Sequence, residues 1–154
     1  MGPLLLVEDN AEDVLFIRRA FKKIGWDPDL RVESDGHCAL QYLRHEGSYA
    51  DRGRFPDPSR LILDLKLPRV SGLDILSWVR SSPSLGDMPT MILTSSQQPE
   101  DIARAYALRC DAYLVKPVSF ANLVRVAGAL REWATRSTPP RIPEVVIPLH
   151  QDLP

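Results

Sequence analysis

The fold is decided by residues 61–72, which read LILDLKLPRVSG. An apolar run ends in a single carboxylate, Asp64, and a loop containing Pro68 and Gly72 follows at once. This pattern is typical of a buried parallel strand that delivers one charged group to the edge of a sheet. With apolar neighbours behind it and solvent in front, Asp64 can bind a metal, act as a base or act as a nucleophile. The side chains that other segments bring to the same edge decide among these roles.

The composition predicts one globular domain. The 154 residues are 44% hydrophobic and 25% charged, as in ordinary soluble proteins. The net charge of -1 gives no electrostatic reason to expect nucleic acid or an anionic membrane as a partner. No apolar stretch approaches the roughly 20 residues that span a bilayer, and no signal peptide is recognisable. The two cysteines, Cys38 and Cys110, lack metal-like spacing and fit a reducing compartment, so we expect a cytoplasmic protein.

Short apolar runs alternate five times with amphipathic helical stretches, which predicts a parallel sheet covered by helices on both faces. For five strands we expect an α/β doubly wound sheet in the order 2-1-3-4-5, the flavodoxin-like (βα)5 arrangement. The predicted strands are Pro3–Val7, Leu30–Glu33, Arg60–Asp64, Met88–Thr94 and Ala112–Val115. The predicted helices are Ala11–Ile24, Gly36–Glu46, Gly72–Ser81, Pro99–Arg109 and Ser119–Trp133.

Ligands of such a sheet bind beyond the carboxyl ends of its strands, and several polar side chains stand at those ends. Strands one and three are neighbours in the predicted order, so Glu8, Asp9 and Asp64 converge. Three carboxylates in one place repel one another, and Mg²⁺, which prefers oxygen ligands, removes that repulsion. Thr94 ends strand four and Lys116 follows strand five. A hydroxyl and an ammonium beside a metal suit a phosphoryl group, and a carboxylate nucleophile can then form an aspartyl-phosphate.

The same residues resemble the receiver domains of two-component response regulators, whose fold is called CheY-like. The resemblance rests on LLLVEDN at 4–10, the loop that begins at Asp64, Leu93-Thr94-Ser95 and Lys116-Pro117, and it covers about residues 3–133. We therefore divide the chain into a receiver domain, residues 1–133, and a C-terminal extension rich in proline, residues 134–154.

The resemblance implies a role for each position. Asp64 would be the phosphoacceptor. Thr94 and Lys116 would contact the phosphoryl group, and Tyr113 would be a switch aromatic that turns inward when Thr94 moves. The Mg²⁺ ligands would be Asp9 and Asp64 directly, Glu8 mainly through water, and the backbone carbonyl of Lys66.

Lys66 departs from the family pattern. Many receivers have a small polar residue, often Asn, two positions after the phosphoacceptor. A lysine adds positive charge beside the metal and the phosphate, so we predict weaker Mg²⁺ binding and an altered rate of dephosphorylation.

A narrower resemblance concerns the kinase. The opening VEDNAED at 7–13, the long loop after residues 45–47 and RAYAL at 104–108 are similar to the single-domain regulators that pair with phytochrome-type histidine kinases. This resemblance implies that the phosphodonor is a phosphohistidine on a light-sensing kinase.

The signal is expected to leave through the receiver's own surface, because no DNA-binding element fits residues 134–154. The apolar, proline-rich tail either folds back onto its own domain or docks on a second copy as an arm. The fifth helix carries more apolar positions than one buried face needs, which commonly marks an interface. We expect a symmetric homodimer formed by helix four, strand five, helix five and the tail. The candidate interface residues are Phe120, Val124, Trp133, Ile142 and Val146.

Two other functions were weighed. A small phosphatase or phosphotransferase with an Asp nucleophile usually has a second Asp two positions later, where this chain has Lys66. A pseudo-receiver, folded but never phosphorylated, would have lost an acceptor or acid-pair residue, and Asp64, Glu8 and Asp9 are all present. We therefore expect a signalling protein that is no enzyme beyond assisting its own phosphorylation and dephosphorylation.

Overall fold

The computed structural model describes residues 2–136 and, as backbone alone, residues 145–146. Strands and helices alternate along the chain, and one 3-10 turn, Gly47–Tyr49, lies in the long loop before the third strand. The strands are β1 Leu4–Val7, β2 Leu30–Glu33, β3 Arg60–Leu63, β4 Thr90–Thr94, β5 Ala112–Val115 and β6 Val145–Val146. The helices are α1 Ala11–Lys23, α2 Gly36–Arg44, α3 Gly72–Ser81, α4 Pro99–Ala107 and α5 Phe120–Thr135.

All strand pairs are parallel, in the order β2-β1-β3-β4-β5-β6. The predicted order 2-1-3-4-5 is confirmed for the first five strands. The prediction of a five-stranded sheet missed β6, in which Val145 pairs with Tyr113 and Val146 with Leu114. The tail therefore returns to the β5 edge of its own domain at these two positions.

Element boundaries differ slightly from the predicted ones. Asp64 lies just beyond the end of β3, and β4 begins at Thr90 rather than Met88. Helix α2 ends at Arg44 because His45 adopts a left-handed backbone conformation, with φ of 56°. Helix α5 continues to Thr135, past the predicted end at Trp133.

Two apolar layers cover the sheet, because successive strand residues point to opposite faces. One layer packs α2, α3 and α4 against alternate residues of the strands, and it contains Leu5, Leu61, Ile92 and Tyr113. The other packs α1 and α5 against the remaining residues, and it contains Leu6, Ile62, Met91 and Leu114. Every helix in residues 2–136 is too short or too polar to be a candidate membrane span.

The expected interface role of Trp133 is wrong, because this residue belongs to the protomer's own core. Only 4% of its surface is exposed, and its ring lies 5.7 Å from the guanidinium carbon of Arg60. The length of α5 explains the error: its last turns still cover the sheet, so apolar residues there fill the α1/α5 layer. Phe120 is 44% exposed and Val124 is half-buried, and Ile142 lies outside the described residues.

Candidate functional site

The site begins with three carboxylates at the carboxyl edge of the sheet. β1 and β3 are hydrogen-bonded neighbours, so the residues that follow them meet as predicted. One carboxylate oxygen each from Glu8, Asp9 and Asp64 lie within 4.8 Å of one another. Glu8 and Asp64 are buried, whereas Asp9 is exposed. An all-oxygen cluster with one open side can hold a divalent cation that keeps some of its water.

Lys116 lies at the centre of this acidic group. Its ammonium nitrogen is 2.9 Å from Oδ2 of Asp64 and 2.8 Å from Oδ2 of Asp13, and it also contacts Oε1 of Glu8. The Lys116 side chain is only 17% exposed. Lys116 and Asp64 therefore meet as the sequence predicts, and Asp13 is an additional partner.

Burial and the ammonium act in opposite directions on the carboxylates. Burial raises the pKa of Glu8 to about 7 despite its contact with Lys116. Burial would also raise the pKa of Asp64, but hydrogen bonds from Lys116 and Thr94 hold that pKa below its usual value. Burial would lower the pKa of Lys116, but Asp13, Asp64 and Glu8 together raise it. The lowered pKa favours the ionised form of Asp64, which is the form that a nucleophile or a metal ligand needs.

The loop after Asp64 packs tightly against two helix starts. Oδ1 of Asp64 accepts the Leu65 backbone N–H at 2.7 Å, and Gly72 N–H donates to the Leu65 carbonyl at 3.0 Å. A Cβ at Gly72 would lie 2.0 Å from the Asp64 carbonyl oxygen, and one at Gly36 would lie 2.1 Å from that of Val70. Only glycine fits at both positions, which are the first residues of α3 and α2.

Thr94 and Tyr113 are joined by the backbone of Ser96, a residue that the sequence analysis did not single out. Oγ1 of Thr94 accepts the Ser96 N–H at 3.3 Å, and the Tyr113 hydroxyl donates to the Ser96 carbonyl at 2.8 Å. The Ser96 hydroxyl donates to Oδ2 of Asp101 in the first turn of α4. Tyr113 is fully buried, so it occupies the inward position. Its movement with Thr94 stays a prediction.

Lys66 has an exposed side chain, and the role of its carbonyl as a metal ligand stays a prediction. The sequence analysis assigned no role at the site to Asp13, whose position three residues after Asn10 is typical of a capping box at the start of α1. Asn10 does accept the Asp13 N–H at 3.0 Å, but the Asp13 carboxylate turns to Lys116 instead of completing the box. Its position four residues after Asp9, in the first turn of α1, was the available signal, because that turn lies at the same sheet edge.

An apolar rim adjoins the site. A cavity of about 310 Å³ lies between α1 and the β5–α5 loop, with Asp13, Lys116 and Pro117 among its lining residues. Val118 and Phe120, at or just before the start of α5, line this cavity and are exposed. Leu15 on α1 is the other exposed large hydrophobic residue of the described chain, and it is not part of the cavity lining.

Comparison with known proteins decides the family. Residues 4–127 match the family model described as the response regulator receiver domain. The chain belongs to the response regulator receiver family. This receiver domain therefore acts in two-component signalling, and the predicted fold and family are both confirmed.

Three similar proteins refine this assignment. A probable methanogenesis regulatory protein, FilR2 of Methanothrix harundinacea (strain 6Ac), is 39% identical and covers 84% of this receiver domain's chain and 81% of its own. The bacteriophytochrome response regulator AtBRR is 41% identical with a TM-score of 0.70, covering 84% of this chain and 91% of its own. The Mn²⁺-bound form of the response regulator Rcp1 is 28% identical with a TM-score of 0.80, covering 91% of this chain and 99% of its own. A regulator of this fold therefore binds a divalent cation.

Proposed function

We propose that this receiver domain takes a phosphoryl group from a sensor histidine kinase onto Asp64, with Mg²⁺ bound, and signals through its own surface. The observation that carries the proposal is the convergence of the buried Asp64 with Lys116 and two further carboxylates at one sheet edge. In the reaction, a carboxylate oxygen of Asp64 forms a bond to phosphorus while the bond from phosphorus to the donor's imidazole nitrogen breaks. The imidazole leaves as the second product.

The chain's own residues supply charge and orientation. Lys116 donates a hydrogen bond to Oδ2 of Asp64. Its ammonium is therefore close enough to donate hydrogen bonds to the oxygens of a phosphoryl group attached to Asp64. The Thr94 hydroxyl is fully buried beside Asp64, and it can donate to the same oxygens. The Leu65 N–H on Oδ1 keeps the carboxylate from rotating.

Mg²⁺ is the cation that we assign to the acidic cluster. Asp9 and Asp64 would bind it directly, Glu8 through water, and the Lys66 carbonyl would be a further ligand. A bound Mg²⁺ would neutralise developing charge on the phosphoryl oxygens. The exposure of Asp9 supports this assignment, because Mg²⁺ usually retains several waters.

We propose a phytochrome-type kinase as the phosphodonor, on the strength of the likeness to AtBRR. Val118 and Phe120 line the cavity beside Lys116 and are exposed, which supports docking of a protein near Asp64, because exposed apolar residues that lie together commonly mark an interface. We also propose that the protein is cytoplasmic, the compartment in which a histidine kinase would phosphorylate it. The phosphatase alternative is disfavoured by Lys66 at the position of the second Asp.

We also propose that the protein forms a homodimer through α5 and the residues around it. Phe120 and Val124 remain accessible on α5, whereas Trp133 does not, and the backbone of Val146 pairs with β5 of the same chain. Sedimentation of the full chain and of a chain ending at Arg136 tests it. A dimer in at least the full chain supports the proposal, and monomers in both cases contradict it.

The decisive experiment for phosphorylation is intact-protein mass spectrometry. The full chain is incubated with acetyl phosphate and Mg²⁺, and we expect the mass of one added phosphoryl group. Asp64→Asn is the matched control because it keeps the shape of the side chain and removes the nucleophile, so we expect no addition. Chelation of the metal, or Asp9→Asn, should slow the reaction. A parent protein that gains no mass with either the small donor or a phosphorylated histidine kinase would overturn the proposal.

A further inference from the structure

We propose that Asp13 is the positioning residue for Lys116: it holds the ammonium beside Asp64 while a metal ion occupies the other carboxylates. This inference rests on the proposed function, since it concerns the same acceptor site. Neither the sequence motif nor the family match assigns a role to the Asp13 side chain.

The ammonium has three N–H donors, and the structure gives it three carboxylate partners. These are Asp13 at 2.8 Å, Asp64 at 2.9 Å and a close contact with Glu8. Lys116 directly follows β5, whereas Asp13 belongs to α1, which packs with α5 on the same face of the sheet. Asp13 therefore approaches the ammonium from the helical layer, and Asp64 approaches it from the sheet edge.

A metal ion competes for two of these three partners. The cluster able to hold a cation consists of Glu8, Asp9 and Asp64, and Asp13 is not part of it. A divalent cation there would attract the Asp64 carboxylate directly and the Glu8 carboxylate through water, and it would repel the nearby ammonium. Asp13 is then the partner that remains, and its negative charge offsets the repulsion. Lys116 stays close to Asp64 because Asp13 holds it.

The Asp13 side chain is available for this role. The start of α1 is capped through the Asp13 backbone N–H, which donates to Asn10, so the carboxylate is not needed there. An acidic side chain in a first helical turn also stabilises the helix dipole. Glu12 occupies the same turn with the same charge but is exposed and is not among the carboxylate partners of Lys116. Glu12→Gln is therefore a matched control for the loss of charge.

The experiment compares Asp13→Asn, Glu12→Gln and the parent. Initial rates of phosphorylation by acetyl phosphate are measured across Mg²⁺ concentrations, which separates the Mg²⁺ half-saturation from the rate at saturation. We expect the saturated rate to fall about tenfold in Asp13→Asn, because a misplaced cation no longer stabilises the transferring group. In Glu12→Gln we expect a change of less than about twofold, since only a distant, screened charge is lost.

Repeating the Asp13 substitution in a variant that lacks the Lys116 ammonium shows whether Asp13 acts by positioning Lys116 or has a general structural role. The Lys116→Ala variant should be phosphorylated slowly, and its residual rate is followed over hours by mass spectrometry. Adding Asp13→Asn to this variant should change the residual rate by less than about twofold, because Asp13 acts through Lys116 and that partner is already gone. An equal fall in both backgrounds, or an unchanged saturated rate in Asp13→Asn alone, would overturn this inference and leave the proposed function intact. A parent protein that is never phosphorylated would overturn both.

Discussion

The hydroxyl of Tyr113 donates a 2.8 Å hydrogen bond to the backbone carbonyl of Ser96. Because the N–H of the same Ser96 donates to Oγ1 of Thr94, one peptide segment connects Tyr113, the predicted switch aromatic, to the hydroxyl beside Asp64. A displacement of Thr94 toward a phosphoryl group on Asp64 would change its hydrogen bond with the Ser96 N–H, and the Ser96 carbonyl accepts the bond from Tyr113. Ser96 is thus the physical connection between the acceptor site and β5.

Replacing Tyr113 by Phe tests the strength of this connection. The ring fits the same buried space, but the Ser96 carbonyl loses its donor. We expect the free energy of unfolding to fall by about 1–2 kcal/mol, the usual cost of leaving a buried polar group unpaired. Urea denaturation measures the change, and an unaltered midpoint and slope would show that the hydroxyl contributes nothing to the folded state.

Ser96→Ala should loosen the start of α4. The Ser96 hydroxyl bonds to Asp101 at 2.5 Å and accepts the Gln98 N–H at 3.3 Å, while Gln98 itself makes no side-chain cap. We expect amide hydrogen exchange in residues 100–102 to quicken about tenfold, because a charge-assisted bond at a helix end is lost. Ser95→Ala, at an exposed neighbouring position, is the control. Equal exchange in both variants would contradict the prediction.

The stability of the protein without divalent cations should rise as the pH falls from 8 to 5.5. Burial raises the pKa of Glu8 to about 7 in the folded state, against 4.5 as its ordinary value. The folded state therefore takes up a proton that the unfolded state still lacks in this range, which adds about 2 kcal/mol at pH 5.5 relative to pH 8. Glu8→Gln should lose most of this slope.

Burial raises the pKa of Glu33 as well, so Glu33 acts in the same direction. The difference between the parent and Glu8→Gln, measured by urea denaturation in the presence of a chelator, isolates the contribution of Glu8. Parallel profiles for the two proteins would show that Glu8 is not the group that titrates.

Lys66→Asn should tighten Mg²⁺ binding. Removing a positive charge close to the acidic cluster relieves a repulsion that solvent largely screens, so we expect the dissociation constant to fall about threefold. Lys23→Asn, exposed in the last turn of α1, removes the same charge at a distance. Isothermal titration calorimetry gives both constants, and phosphate release from the phosphorylated proteins shows whether the rate of dephosphorylation changes. Identical constants for Lys66→Asn and the parent would refute the prediction.

Two glycine substitutions should have opposite effects on stability. A Cβ at Gly72 would lie 2.0 Å from the Asp64 carbonyl oxygen, whereas a Cβ at Gly128 meets nothing within 4 Å. We expect Gly72→Ala to cost more than about 2 kcal/mol, because backbone must move to relieve the overlap. Gly128→Ala, within α5, should gain roughly 0.5–1 kcal/mol. Thermal denaturation of both variants measures the contrast, and a stable Gly72→Ala protein would contradict it.

Much of this molecule could be predicted from the sequence, because parallel strands impose strong patterns. A buried strand needs a continuous apolar run, and the polar residue that ends it must lie at the sheet edge. For that reason the strand order and the meeting of Glu8, Asp9, Asp64 and Lys116 followed from the order of motifs along the chain.

The wrong or missing predictions concern residues whose neighbours in space cannot be read from the hydrophobic pattern of the sequence. An apolar residue near the end of a helix fits a core or an interface equally well, and Trp133 belongs to the core because α5 lies along the sheet to its last turn. The contact of Asp13 with Lys116 depends on how far the lysine side chain extends from the end of β5 toward α1. Strand β6 has only two residues, too few to produce a recognisable alternation.

The tight packing at Gly36 and Gly72 makes the site mechanically asymmetric. The acceptor loop is wedged between the first residues of α2 and α3, and Arg69 also pairs with Asp35, the N-cap residue of α2. Across the site, the side chains of Thr94 and Tyr113 both hydrogen-bond to the backbone of Ser96. We therefore expect the wedged loop to hold the Asp64 carboxylate in place, and we expect any displacement that follows phosphorylation of Asp64 to occur at Thr94 and Tyr113. Receptors for the signal would accordingly read α4 and β5 rather than α2 and α3.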